Sequence, residues 1–254
     1  MAPFYKTATA FCLVGLFGLH SVAAGATEYK FEVVEVKDEL YLTTNLARNG
    51  KISVRTSTVE KDTDLVSTLQ AKVATEQTAQ AATCETLIGD KLKKVFHHSF
   101  AYTTTPNYPE LVQEALNAGL EEFGKTYPSG TSAWQEKWGK QKVHSVLHLL
   151  GASSTKIGCV IGNCVKKVEV PVHAKSDPDQ PTTSVLFCEL TPAATVDEAA
   201  FSEAYFKELI ARETKIKDMT EEDLKDPIVT SSADAVVPSI LTAGLVAILA
   251  AISA

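Results

Sequence analysis

The sequence lacks the short motifs that most directly assign a chemistry to a protein. It has no Gly-x-Ser-x-Gly elbow for a nucleophilic serine, no His-Glu-x-x-His zinc motif, no Cys-x-x-Cys pair and no Asn-x-Ser/Thr glycosylation sequon. Basic residues are also few, with 24 Lys and Arg against 31 Asp and Glu and a net charge of -7. This acidic excess disfavours nucleic acid and anionic membrane surfaces as partners.

The first residues have the layout of a secretory signal peptide. Lys6 is the only charged residue before the apolar run at residues 8–19, and small residues follow that run. We predict that residues 1–24 form the signal peptide and that cleavage occurs after Ala24, with Ala26 as the alternative. The mature domain, residues 25–226, is long enough for one substantial core, and we expect a single domain.

The other end of the chain predicts a glycosylphosphatidylinositol (GPI) anchor. Ser231, Ser232 and Ala233 are candidate attachment sites, and a spacer separates them from an uncharged apolar tail. Residues 227–239 would form a stalk and attachment region, and residues 240–254 would be removed when the lipid is attached. A transmembrane tail anchor is the alternative, but the tail is barely long enough and no basic residue follows it. The expected location is the outer face of the plasma membrane.

Four cysteines should remain in the mature protein, because Cys12 leaves with the signal peptide. They are Cys84, Cys159, Cys164 and Cys188. An even number in an oxidising compartment predicts two disulfides, and spacing leaves all three connectivities open. A zinc site with four thiolates is the rival interpretation, which the export route disfavours.

Apolar periodicity and turn residues predict an α+β domain. The predicted helices are 38–49, about 63–82, 108–124, 132–150 and 198–212, with a short one at 224. The predicted strands are 156–161, 165–172 and 184–190, with a short β-branched segment at 51–58. Helices thus precede and follow the strands, which favours an antiparallel sheet covered by helices. Trp134 and Trp138 are expected in the core.

Individual residues should begin, end or interrupt these helices. Thr63 or Asp64 is expected to cap the second helix, and Asp197 the helix at 198–212. Gly50 should end the first helix in the left-handed region. Gly139 could interrupt the helix at 132–150.

Two segments around the cysteines resemble the C-terminal strand pair of the CAP superfamily, which comprises cysteine-rich secretory proteins, antigen 5 and PR-1. They are residues 156–164 and 187–192, and residues 42–48 are similar to that superfamily's first helix. The resemblance implies a three-layer α-β-α sandwich with a central antiparallel sheet. It also implies that Cys159 pairs with Cys188, and Cys84 with Cys164.

Three further segments resemble the SAG surface antigens of Eimeria-type coccidian parasites. They are residues 191–194, 201–206 and 219–225. This resemblance implies a non-enzymatic antigen on the parasite surface, bound to the membrane through a lipid anchor. Host-cell surfaces or host immune components are the partners that it implies.

Many CAP proteins hold a divalent metal in a cleft formed by two histidines and two acidic residues. By position, the expected helix histidine is Ser145 here, while His144 and His148 flank it at i, i+4 spacing on one helix face. His144 and His148 are therefore the candidate metal ligands, although ordinary histidines with no metal and no cofactor are the preferred interpretation. Further candidate ligands are His97, His98, Glu121, Glu122 and Glu136.

The function expected from these observations is that of a GPI-anchored, non-enzymatic surface antigen. Its role would be host-cell attachment or interaction with host immunity. The alternative is a CAP-type cleft that binds a divalent metal or lipid, and a coat protein without a specific ligand is a third possibility.

Overall fold

The computed structural model describes residues 28–78, 81–167 and 180–225. The strands are β1 (Glu28–Glu35), β2 (Glu60–Lys61), β3 (Phe96–Ala101), β4 (Lys156–Lys167) and β5 (Thr183–Thr191). The helices are α1 (Glu39–Asn49), α2 (Thr63–Thr75), α3 (Tyr108–Phe123), α4 (Thr131–Trp138), α5 (Gln141–Leu150) and α6 (Glu203–Ala211). Short 3₁₀ turns lie at Glu85–Leu87, Leu92–Lys94, Ile216–Asp218 and Glu221–Leu224.

The strands form one open, mainly antiparallel sheet in the order β1-β4-β5-β3. The short strand β2 pairs in parallel with the start of β4. Side chains alternate along β4: Ile157, Cys159 and Ile161 face one layer, whereas Val160 and Cys164 face the other. Both sheet faces are therefore buried, which confirms the predicted sandwich of helices around an antiparallel sheet.

The larger layer contains α1, α3, α4, α5 and α6. Trp134 and Trp138 are both buried in it, as predicted, and they contact other aromatic rings. Arg48 of α1 is fully buried, and in its described hydrogen bonds the guanidinium donates only to main-chain carbonyls. Those carbonyls belong to Leu149, Ser57, Gly151 and Ser154.

The smaller layer consists of α2 and the turns that follow it. Leu69 and Val73 are fully buried against Val160 and Phe187 of the sheet. The helix backbone comes very close to β4 at Gly158, where an added Cβ would lie 2.6 Å from the backbone carbon of Leu65. A side chain at Gly158 would therefore displace α2 from the sheet.

The two strands predicted at 156–161 and 165–172 are instead one continuous strand as far as Lys167. Residues 160–167 pair with β1, so the chain does not turn at Gly162. Glycine is needed there for packing, because an added Cβ would lie 2.9 Å from the Phe31 ring. Residues 168–172 lie outside the described part of the chain.

Several predicted segments have different boundaries in the structure. The helix predicted at 132–150 is divided into α4 and α5 at Gly139 and Lys140, the latter in an extended conformation. Residues 96–101, which belong to none of the predicted helices and strands, form β3 and pair with β5. Residues 51–58 contain no strand. Side chains hold this segment instead, since the Asn49 side-chain oxygen accepts a hydrogen bond from the Thr56 amide.

The predicted caps of two helices are wrong by a few residues. Asp62 caps α2 by accepting from the amides of Asp64 and Leu65, and the helix ends at Thr75 instead of residue 82. Ser202 caps α6 at the amide of Tyr205, whereas Asp197 lies in a separate turn with φ of 68°. The cap of α2 is therefore the residue directly before the predicted Thr63, whereas the cap of α6 lies five residues after the predicted Asp197.

Gly50 follows α1 as predicted, but not in the left-handed region. Its φ is -69°, and the positive φ of 57° occurs at Lys51. Glycine is required because an added Cβ would lie 2.6 Å from the Met219 sulfur. Close packing, and not a left-handed turn, thus explains this glycine.

Candidate functional site

The four cysteines form two disulfides, Cys84–Cys164 and Cys159–Cys188. These are the pairs that the CAP resemblance implies. Cys159 and Cys188 face each other across the β4–β5 pairing, while Cys84 lies in the loop after α2 and reaches Cys164 on the smaller face. All four sulfurs are occupied by these bonds, so none is a thiolate nucleophile or zinc ligand in this state.

A cavity of about 880 Å³ lies between β3, the start of α5 and the turns at residues 85–93. Its wall is polar and carries charges of both signs. The charged residues are Glu85, Asp90, Lys93, Glu122 and Lys142. His97, His98 and Ser145 also line it, so the cavity borders the residues at which a CAP-type cleft is expected.

Ser145 occupies the position expected for a helix histidine and has a structural role. Its buried hydroxyl accepts from the His97 amide at 2.8 Å and donates to the His97 carbonyl at 2.7 Å. These two bonds satisfy main-chain groups on the outer edge of β3. Ser145 therefore joins α5 to β3, a role that the local sequence does not indicate.

His144 and His148 lie together, as their spacing predicts. Their ring centroids are 4.8 Å apart, and each ring also packs edge-on against Trp138 at 5.1 and 5.2 Å. The Nε2 atoms of both histidines are buried without a hydrogen-bond partner. Burial lowers the pKa of His144, and it lowers that of His148 to about 4. Both imidazoles are therefore neutral at pH 7.

His97 and His98 lie on opposite faces of β3. His97 packs near Phe187, with its Nδ1 atom 3.0 Å from the Val95 carbonyl. His98 faces α3, where its Nε2 atom is 3.6 Å from a carboxylate oxygen of Glu114. Burial lowers the pKa of both imidazoles.

The candidate acidic ligands are dispersed. Glu122 borders the large cavity, Glu121 lines a different one beside α6, and Glu136 pairs with Lys140 on the same chain segment. Within residues 28–78, 81–167 and 180–225, no three His, Cys, Asp or Glu side chains converge as a metal site would require. His144 and His148 thus form a buried imidazole pair against Trp138, and no third ligand side chain joins them among the described residues.

The predicted anchoring signals lie outside the described residues. This applies to the signal peptide at 1–24, to the candidate attachment sites Ser231, Ser232 and Ala233, and to the tail at 240–254. None of the helices in the described part of the chain is long and apolar enough to cross a membrane.

No family model matches the sequence, and no curated protein matches it. The solved structures that this chain is similar to include the following three. The Eimeria tenella surface antigen SAG19 has 16% identity and a TM-score of 0.47, with 74% of this chain and 98% of that chain covered. The hookworm platelet inhibitor has 16% identity and a TM-score of 0.38, with 67% and 79% covered. BmVAL-1 has 14% identity and a TM-score of 0.32, with 65% and 78% covered.

The structures that the chain is similar to thus include a surface antigen of Eimeria tenella. All three identities are 16% or less and all three TM-scores are below 0.5, so no property of these proteins is carried over to this chain. What this chain does has to be argued from its own residues.

Proposed function

We propose that this protein is a non-enzymatic surface antigen, anchored by GPI to the outer face of the plasma membrane. The observation that carries the proposal is a joint one: the chain combines a secretory signal pattern, a GPI-type C-terminal pattern and four cysteines that form two disulfides. Disulfides persist in the oxidising environment outside the cell, which is where the two terminal patterns would direct the chain.

Ser145 in the cavity wall and the two histidines of α5, which do not line the cavity, support a scaffold better than a catalytic site. The Ser145 hydroxyl bonds to the main chain of His97 and is not held by an imidazole ring. The rings of His144 and His148 pack against Trp138, and their buried nitrogens have no carboxylate to orient them. A serine nucleophile would need a base within hydrogen-bond reach, and that base would in turn need an orienting group.

Attachment to host cells or exposure to host immunity is the proposed role of the displayed domain. The domain presents a mostly polar surface on a rigid, disulfide-tied core, which suits a protein that is exposed to the host. Recombinant protein should bind host cells in a saturable way, and binding should be lost after reduction and alkylation. An absence of saturable binding by correctly oxidised protein would remove the attachment role.

Anchoring is tested by treating intact cells with phosphatidylinositol-specific phospholipase C. The protein should move from the cell surface to the medium, because the enzyme cleaves the lipid from a GPI anchor. As a control, the same domain is carried on a transmembrane helix in place of residues 234–254 and should stay on the cells. Retention of the native protein under conditions that release a known GPI-anchored protein would contradict the proposal.

The alternative function is a cleft that binds a divalent metal or a lipid, and the cavity of about 880 Å³ is the observation in its favour. The metal version would require a carboxylate to approach His144 and His148 to within bonding distance of one ion, roughly 2.0–2.2 Å. Thermal unfolding with and without zinc is the test. A rise in melting temperature that disappears in His144→Gln would favour this alternative over a scaffold.

A further inference from the structure

The sheet ends in two edge strands, β1 and β3, whose outer main-chain groups differ in how they are bonded. On β1, the amides of Tyr29 and Phe31 donate to groups of the segment that follows α2, so this edge is covered at both positions. On β3, the outer amide and carbonyl of His97 are bonded to the Ser145 hydroxyl of α5. The two edges therefore have to be compared residue by residue.

The pairing register determines which main-chain groups of β3 point outward. In an antiparallel pair, residues that bond to the partner strand alternate with residues whose amide and carbonyl point away from it. His97 presents both groups to α5, so Ser99 and Ala101 also point away from β5. The Tyr102 amide donates to the Thr182 carbonyl at the end of β5, which agrees with this alternation.

Four outward main-chain groups of β3 have no hydrogen bond within the described part of the chain. They are the amides and carbonyls of Ser99 and Ala101, and both residues are exposed. An exposed edge with free donors and acceptors can pair with another strand, so proteins usually cover or protect such edges. Ser145 does this at His97, whereas residues 99–101 form an open edge.

This open edge adjoins the cavity of about 880 Å³, which residues 97–99 line. On one side of the strand the cavity wall belongs to the larger layer and includes Glu122 of α3 and Lys142 of α5. On the other side it belongs to the smaller layer and consists of the turns at residues 85–93. The open edge therefore lies in a groove between two walls.

A single extended peptide fits this groove better than a second copy of the chain. Paired strands lie about 4.8 Å apart, so the occupant has to come close to β3. In a second copy the same edge lies between the same walls, and the walls of the two copies would meet before one β3 reached the other. A separate peptide has no such walls, and its main chain supplies the donors and acceptors that Ser99 and Ala101 require.

The charges of the groove favour a basic peptide. Three carboxylates line it, those of Glu85, Asp90 and Glu122, together with the ammonium groups of Lys93 and Lys142. Lys93 pairs with Asp90 at 3.2 Å, whereas no described ion pair balances Glu85 on the same wall. Side chains of a strand alternate between its two faces, so every second residue of a bound peptide would face this wall. A lysine or arginine there would be attracted to the carboxylate.

We propose that the outer edge of β3 binds an extended, basic peptide segment of a partner protein as an additional strand of the sheet. Ser99 and Ala101 form the main-chain hydrogen bonds to that segment. Ser145 limits the pairing at His97, because its hydroxyl already occupies both outward groups there. This site is an addition to the proposed function and does not rest on it.

Fluorescence anisotropy tests the binding on the full-length protein in mild detergent. The probe is a labelled six-residue peptide of alternating lysine and threonine, which should bind saturably. The same peptide N-methylated at every amide keeps its charge but cannot donate hydrogen bonds, so it should bind about tenfold more weakly. Equal affinity of the two peptides, or no saturable binding of the first, would overturn the proposal.

A third peptide tests the charge of the partner. Glutamate replaces lysine at every position, so the main chain can still pair but the side chains are repelled by the carboxylates of the groove. Its affinity should be at least about threefold lower than that of the lysine peptide, and the difference should decrease in 1 M salt. Equal affinity would overturn the assignment of a basic partner.

Ser99→Pro tests the position of the site. The lost amide points away from β5, and proline is tolerated at such positions of an edge strand, so the fold should be retained. Affinity for the lysine peptide should fall about tenfold. Ser99→Ala is the matched control, because it changes the side chain and keeps the amide, and it should bind as the wild type does. Unchanged affinity in Ser99→Pro would contradict the proposal.

Hydrogen-exchange mass spectrometry of the wild type needs no variant and decides the matter if Ser99→Pro does not fold. With the lysine peptide at saturation, the amides of residues 99 and 101 should gain protection, whereas those of β1 should not change. Unchanged exchange in β3 would refute the site. Sedimentation without peptide provides a further check: a dimer of the wild type that disappears in Ser99→Pro would assign the edge to a second copy instead.

Discussion

Among the described residues, five helices enclose an aromatic cluster on one face of the central sheet, whereas α2 and the turns after it cover the other face, where a disulfide ties the loop after α2 to β4. The larger face buries both tryptophans and the complete side chain of Arg48. The smaller face depends on α2, a close backbone contact at Gly158 and the Cys84–Cys164 bridge. The smaller layer has fewer apolar residues and therefore gains stability from the disulfide. The larger layer is thick enough to bury the polar side chain of Arg48.

The largest expected effect is on the larger face, for Arg48→Leu. Loss of the guanidinium leaves the carbonyls of Leu149, Gly151, Ser154 and Ser57 without their donor in a buried site. The free energy of unfolding should fall by about 3–5 kcal/mol. Urea unfolding followed by tryptophan fluorescence measures it. The exposed Lys207→Met is the matched control, and a loss below about 1 kcal/mol for Arg48→Leu would show that the carbonyls find other donors.

Removal of the Cys84–Cys164 bridge should have the next largest effect. The bridge spans 80 residues of sequence, so the double variant Cys84→Ala, Cys164→Ala gains much chain entropy when unfolded. We expect a loss of about 2–4 kcal/mol in the free energy of unfolding. Chemical denaturation of both proteins under oxidising conditions provides the measurement. Equal midpoints would mean that packing alone holds the smaller layer.

Gly158→Ala tests how closely α2 approaches the sheet. The new Cβ would lie 2.6 Å from backbone atoms of Leu65 and Val66, which cannot move without shifting the helix. A loss of about 1–3 kcal/mol in the free energy of unfolding is expected. Gly139→Ala is the matched control, because its Cβ would be no closer than 3.5 Å to any described atom. Similar stabilities for the two variants would contradict the close contact.

The smallest effect is expected from the ion pair that joins α2 to β5. Lys72 Nζ lies 2.9 Å from both carboxylate oxygens of Glu189, and both side chains are about one quarter exposed. Lys72→Met should reduce the free energy of unfolding by about 0.5–1 kcal/mol, with a smaller difference in 1 M salt. Lys91→Met removes a more exposed pair and serves as the control. A salt-independent loss would assign the effect to packing of the side chain.

Local sequence signals were sufficient to predict some elements closely. The prediction for α3, residues 108–124, differs from the structure by one residue, since the helix ends at Phe123. Asn107 caps it, Pro109 lies in its first turn, and Gly124 follows it with φ of 86°. All three signals act within the helix or next to it, so they can be recognised without knowledge of the fold.

The errors in the strands concern features that distant residues decide. β4 continues through Gly162 because it pairs with β1, which is more than 100 residues earlier in the chain. Likewise, β3 has no clear period of its own and becomes a strand by pairing with β5. The period of the apolar residues along a strand indicates which face of the strand is buried, but it does not identify the strand that pairs with it.

The candidate site also combines features that local spacing predicts with features that distant residues decide. The spacing of His144 and His148 correctly predicted that the two rings lie together, because i and i+4 side chains share a helix face. Nothing in the spacing could indicate that the Ser145 hydroxyl binds the main chain of His97, which is 48 residues away. The buried neutral state of the histidines likewise depends on Trp138 and the surrounding layers.

Native-state hydrogen exchange of the Cys84→Ala, Cys164→Ala variant compares the two faces most directly. At pH 7.5, amides of α2 should lose protection by a larger factor than those of α5, because only the smaller layer has lost its covalent tie. The wild-type protein provides the reference for each helix. An equal loss of protection in α2 and α5 would contradict the difference between the faces, since it would mean that the whole domain opens as one unit.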